Sequence, residues 1–164
     1  MAGGAPAEPA LATHAGLDHL RLAALGVATI AAYGAWYYAF GALIDPIVED
    51  TGWSYTAVSA SFSGGQVLVG AGSLFGGALL DRHGSRPVFA LAALVGGLGL
   101  FAASLADSPR TFGAGAAVGM GALGALGQYH ITMATAVRLH PTAPGRAIAV
   151  LTLWGALASP IYLP

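Results

Sequence analysis

Residues 54–106 read SYTAVSASFSGGQVLVGAGSLFGGALLDRHGSRPVFALAALVGGLGLFAASLA. Two apolar runs, Ser54 to Leu80 and Pro87 to Ala106, contain no Asp, Glu, Lys or Arg. They meet at a corner, Gly77 to Pro87, that holds Asp81, Arg82 and Arg86 around Gly84. A bilayer core of about 30 Å needs roughly 20 apolar residues in a helix, and each run reaches that length. Lipid offers no partners to open backbone groups, which excludes isolated strands. The stretch therefore predicts two antiparallel membrane-spanning helices joined by a short basic loop.

The same pattern extends outward. Leu22 to Ile44, Thr111 to Val137 and Ala147 to Pro164 are also free of Asp, Glu, Lys and Arg. The sequence thus predicts an all-α membrane protein, a transmembrane helix bundle with spans at about 22–44, 54–80, 87–106, 111–137 and 147–164. Composition agrees. Hydrophobic residues make up 56% of the 164 positions and charged residues 8%, against about 25% charged in a soluble domain. Mean hydropathy is +0.71. Six basic residues, all Arg, face seven acidic ones for a net charge of -1, a balance that favours no nucleic acid. The absence of Cys excludes disulfides, thiol catalysis and Cys-ligated metal. The 25 glycines suit a bundle in which helix backbones approach closely. Residues 1–19 lack apolar periodicity and are expected to form a flexible tail. They do not have the layout of a signal peptide, since no basic group precedes a short apolar core with a cleavage site.

Arginine placement predicts orientation. With the N-terminus in the cytoplasm, Arg21, Arg82, Arg86, Arg138 and Arg146 fall inside and only Arg110 falls outside. Trp53 and Tyr55 then meet the outer interface. Pro46 is expected to end the first span, Ser54 to cap the second helix, Gly84 to stop it in a left-handed geometry, and Pro87 to sit in the first turn of the third. Pro141 and Pro144 separate the fourth span from the fifth.

Polar groups within the spans are few. Thr29, Tyr33 and Tyr37 are spaced by four and share a predicted helix face. Tyr33 is the deeper candidate for a solute cavity, whereas Tyr37 and Tyr38 suit an outer aromatic belt. Ser59, Ser63, Gln66 and Gly70 recur at helical spacing, which fits interhelical hydrogen bonding as well as solute contact. On the fourth span Gly115 and Gly119, and Ala117 and Gly121, are spaced for tight packing. Gln128, Tyr129 and His130 come after them. His130 either bonds a backbone carbonyl or water as neutral imidazole, or lines the cavity. The candidate cavity residues are Tyr33, Gln66, Gln128 and His130. No nucleophile–base pair is visible, and Asp81, His83 and His140 lack metal-ligand spacing, so neither an enzyme nor a metal or cofactor site is expected.

The corner carries one more signal. Asp81 ends its own helix, where the macrodipole disfavours an anion unless an Arg or another helix N-terminus faces it. Gly77-x-x-x-Asp81-Arg82-x-Gly84-x-Arg86 resembles the signature loop of the major facilitator superfamily between its second and third spans, with Ser85 where Arg or Lys is common. Gly52-Trp53-Ser54 resembles the start of the second helix in many prokaryotic members. Gly145-Arg146-Ala147-Ile148-Ala149, Trp154-Gly155 and Ser159-Pro160 are similar to the bacterial monocarboxylate-type branch. The resemblance covers residues 20–164. It implies two six-helix halves around a central cavity, with rocking of the halves alternating access to a small solute. It also implies that Gly77 and Asp81 sit against a helix of the second half.

Taken with the chain's end at Pro164, the resemblance implies the first five helices of the N-terminal half of a secondary active transporter, inactive alone. Its partners would be the bilayer, a small-molecule solute and a C-terminal half, and its location the bacterial inner membrane. The rival expectations are a small five-span subunit that assembles with other chains, or the inert product of a truncated gene.

Overall fold

Glycine brings three helices into backbone contact at the centre of the molecule. A computed structural model describes residues 8–162. The contact is made by α3 (Tyr55–His83), α4 (Ser85–Ser104) and α5 (Pro109–Gly127). α5 lies between the other two, which barely touch each other. A Cβ on Gly99 of α4 would stand 2.6 Å from the Cα of Gly119 of α5, and one on Gly115 would stand 2.8 Å from the Ala103 backbone nitrogen. On the other side of α5, a Cβ on Gly121 would come within 2.6 Å of the Leu68 Cβ of α3. The sequence spacing of small residues on the fourth span thus becomes two contact faces on one helix.

The bundle is inside-out relative to a soluble one. The inward face of α4 carries Val88, Ala92, Gly96, Gly99 and Ala103, while Leu91, Leu94, Leu98 and Phe101 are exposed. On α3, Leu74 is 79% and Phe75 73% exposed. Large apolar side chains facing outward with small ones inward is the arrangement lipid permits and water does not.

The other spans pack around this trio. α1 (Glu8–Tyr33), a π-helical turn at Gly34–Tyr38 and α2 (Ala39–Thr51) run on from one another without a gap. Helix therefore begins at Glu8 within the segment expected to be a tail, and residues 1–7 lie outside the described residues. Contrary to expectation, Pro46 does not end the first span but sits inside α2. The helix stops instead at Gly52, whose φ of 69° supplies the left-handed cap and whose N–H bonds the Val48 carbonyl at 3.0 Å. Ser54 caps α3, its Oγ accepting from Ala57 N–H at 3.2 Å. Gly84 stops α3 at φ 79° and ψ 178°, a positive φ but not the left-handed helical geometry, and Pro87 falls in the first turn of α4.

Three helices, His19–Thr51, Tyr55–His83 and Ser85–Ser104, are long and apolar enough to cross a membrane. The fourth and fifth windows are not single helices. α5 ends at Gly127 and α6 (Tyr129–Leu139) begins after Gln128, while α7 (Pro144–Ala156) gives way to α8 (Ala158–Tyr162) at Leu157. Residues 163 and 164 of the fifth window lie outside the described residues.

Chain ends of the spans sort cleanly. Arg138 pairs with Asp81, and His19, Leu22, His140 and Arg146 line one small cavity. Arg82, Arg138 and Arg146, with Arg21 beside Leu22, therefore gather at one end of the bundle. Trp53 and Phe112, near Arg110, meet at the other with ring centroids 5.6 Å apart.

The glycine contacts make a direct prediction. Gly119→Leu drives a side chain into the backbone of α4, while Gly97→Leu enters open space. In detergent size-exclusion profiles, G119L should lose most of its monodisperse peak and G97L should keep it.

Candidate functional site

Three of the five predicted spans lose their regular helix at the same place. The π turn interrupts the first, the break at Gln128 the fourth, and the break at Leu157 the fifth. Tyrosines occupy the meeting point. Tyr33, the last residue of α1, faces Tyr129, the first of α6, with ring centroids 5.3 Å apart at 55°. Tyr38 at the end of the π turn stacks on Tyr162 of α8 at 6.5 Å and 9°, and Tyr37 meets Tyr38 edge-on at 5.6 Å. Tyr33, Tyr38, Tyr129 and Tyr162 are half-buried and Tyr37 is exposed.

Two glycines seat these rings. A side chain on Gly34 would fall on the Tyr162 ring, and one on Gly155 would fall on the Tyr129 hydroxyl. The opposite side of the π turn faces the bundle. Trp36 is buried there, stacked on Phe62 of α3 at 5.4 Å, and Phe62 stacks in turn on Phe40. A short π-helical turn adds one residue to a helix and rotates the residues beyond it about the axis. The expected single stripe of Thr29, Tyr33 and Tyr37 is accordingly not one face. Thr29 is fully buried with its hydroxyl donating to the Leu25 carbonyl at 2.8 Å, whereas Tyr37 is exposed.

The break in the fourth span has a local cause. α5 is rich in glycine, the least favourable helix residue after proline, and Gln128 takes an extended ψ of −177°. The Gln128 carbonyl then starts α6 by accepting the Ile131 and Thr132 N–H groups at 3.0 and 3.1 Å. In the last turn of α5, where backbone donors run out, the Ala125 carbonyl accepts from His130 Nε2 at 2.8 Å. His130, an exposed residue, therefore closes the broken helix end. Gln128 is half-buried beside Tyr129. Gln66 is exposed on α3, one turn beyond Phe62, and no described hydrogen bond or ring contact ties it to the tyrosines. Of the four candidate cavity residues, the structure places Tyr33 in the cluster and Gln128 at its edge. Tyr38, Tyr129 and Tyr162 were not chosen from sequence. Their signal was Gly34 and Gly155, which can be read as ring seats only after the spans are packed. Among the described residues no three His, Asp or Glu side chains gather as a metal site.

The corner of the second and third spans is built around a different contact. Arg138 at the end of α6 pairs with the Asp81 carboxylate, and its Nη1 donates to the Leu80 carbonyl at 3.2 Å. That carbonyl also accepts the Gly84 N–H at 3.0 Å. The guanidinium thus offsets both the carboxylate and the negative end of the α3 dipole. Within the chain the Asp81 carboxylate thus has a partner in Arg138, 57 residues downstream. Gly77 is exposed, with nothing within 4 Å of a Cβ placed on it. Arg82 and Arg86 are exposed beside the pair. Asp81 and Arg138 are 65% and 48% exposed, and exposed pairs contribute about 0–1 kcal/mol. Asp81→Asn should therefore lower the thermal midpoint of the purified protein by no more than about 4 °C, measured by differential scanning fluorimetry. A loss of folded protein would show that the pair holds the bundle together.

No curated protein and no solved structure matches the chain significantly. The sequence model of the Major Facilitator Superfamily matches residues 25–164. That match takes in nearly all of the five predicted spans, the corner with its Asp81–Arg138 pair and the tyrosine cluster, and with the outward-facing apolar helices it identifies the chain as an integral membrane protein of the major facilitator superfamily, a family of transporters.

Proposed function

We propose that the chain supplies the first five helices of the N-terminal half of a secondary active transporter, and that the tyrosine cluster forms one wall of its solute cavity. The observation that carries this reading is the convergence of three helix interruptions on one group of half-buried tyrosines. Discontinuous helices at solute sites recur among membrane transporters, because an interruption frees backbone groups and re-aims side chains. Residues of the second half complete the cavity, and rocking of the two halves exposes it alternately to each side. Arg21, Arg82, Arg86, Arg138 and Arg146 at one end, against Arg110 at the other, support a cytoplasmic N-terminus in a bacterial inner membrane.

The solute is small, and the likeness of residues 145–160 to the monocarboxylate-type branch favours an organic anion. Phenol hydroxyls of Tyr33 and Tyr129 are donors suited to carboxylate oxygens. The apolar windows hold no Arg or Lys, so any positive counter-charge comes from the second half. The Asp81–Arg138 pair ties the ends of the second and fourth spans, and Gly77 leaves the adjoining face of α3 open to a helix of that half.

Uptake of radiolabelled small carboxylates into proteoliposomes tests this. With the complete transporter, Tyr33→Ala and Tyr129→Ala should each lower uptake at least tenfold at equal membrane insertion, and Tyr37→Ala should change it less than twofold. The isolated 164 residues should give no saturable uptake. Saturable uptake by them alone, or full uptake by Y33A and Y129A, would overturn the cavity assignment.

A further inference from the structure

On the outer side of the central trio, α3 and α4 diverge over α5 and leave a groove of about 530 Å³. Leu68, Gly72, Phe75 and Leu79 of α3 form one wall. Leu91 and Val95 of α4 form the other, and Val118 and Ala122 of α5 the floor. The lining is apolar along its length and basic at one end, where Arg82 and His83 reach it.

From the groove's position and charge we infer that it holds an anionic phospholipid, with an acyl chain along the α5 floor and the phosphate on Arg82 and His83. Its position argues for lipid. Leu68 and Phe75 on one wall, Leu91 on the other and Val118 on the floor are all exposed, and in an integral membrane protein large apolar side chains exposed along a span face the bilayer. The charge argues for an anionic headgroup. Asp81, the only acidic residue of the corner, is engaged by Arg138, so among the described residues Arg82 at the groove end and Arg86 in the loop have no carboxylate partner. Basic pockets between spans at the cytoplasmic surface bind anionic lipid headgroups, and the orientation proposed above puts this end there. The small side chains of Gly72, Gly121 and Ala122 keep the groove deep enough for a chain. The assignment rests on the membrane location and on the orientation proposed above, and not on transport.

Native mass spectrometry of the full chain tests it, with phosphatidylglycerol and phosphatidylcholine of identical acyl chains supplied together. Wild-type protein should retain phosphatidylglycerol over phosphatidylcholine at least fivefold. Arg82→Gln should bring that ratio close to one, and Arg110→Gln at the opposite end should leave it unchanged. Ala122→Phe, which fills the floor, should cut retention of both lipids at least threefold, with helicity checked by circular dichroism. Equal retention of the two lipids by wild type, or an unchanged preference in R82Q, overturns the assignment. A dimer that A122F dissolves while lipid retention is unchanged overturns it in favour of a second copy of the chain.

Discussion

The contact of α5 with α4 through Gly99, Gly115 and Gly119 is the constraint on which the rest of the molecule depends. In lipid, apolar side chains gain nothing by leaving one hydrocarbon environment for another, so helices associate through close packing and not through burial of large residues. Backbones 2.5–3 Å from where a Cβ would stand leave no room for any other residue. With α5 also pressed on α3 through Gly121, the two neighbours of α5 are held apart and their large side chains are turned outward. The groove over Ala122 and the lipid-facing stripe of α4 are both consequences.

The same glycines limit α5. A helix so poor in side chains has little to hold its own backbone, and it gives way at Gln128, just past Gly124 and Gly127. His130 repairs the exposed end by bonding the Ala125 carbonyl, and Tyr129 is thereby set against Tyr33. The price of tight packing in the fourth span is therefore a break, and the break positions the ring that builds the candidate cavity. The π turn of the first span and the kink of the fifth act in concert with it, because Gly34 and Gly155 have no side chains to keep Tyr162 and Tyr129 away.

At the far end of α3 an electrostatic contact takes over from packing. Asp81 stands where its own helix dipole opposes it, and Arg138 relieves that by binding both the carboxylate and the Leu80 carbonyl. The pair is mostly exposed, so its energy is small and its value lies in registering the end of the fourth span against the corner. With Asp81 so engaged, Arg82 is left to serve the groove.

The sequence by itself determined the all-α membrane class, the cap at Ser54, the place of Pro87 in the first turn of α4, and the family signature in the corner. These are local properties, set by runs of apolar residues, by charge placement and by residues whose backbone preferences act over one turn. Pro46 shows the limit even there: a proline near a helix end reads as a stop, but Gly52 a turn and a half later was the actual one. The partner of Asp81, the assembly of Tyr33, Tyr38, Tyr129 and Tyr162, and the interruptions at Gln128 and Leu157 were decided only by tertiary structure. Each depends on residues far apart in the chain, 57 positions for Asp81 and Arg138, that meet because glycine faces fix how the spans cross. Hydropathy sees a continuous apolar window on both sides of Gln128. Only packing reveals that the helix within it is broken, since a break in lipid requires that some neighbour, here His130, satisfy the backbone it exposes.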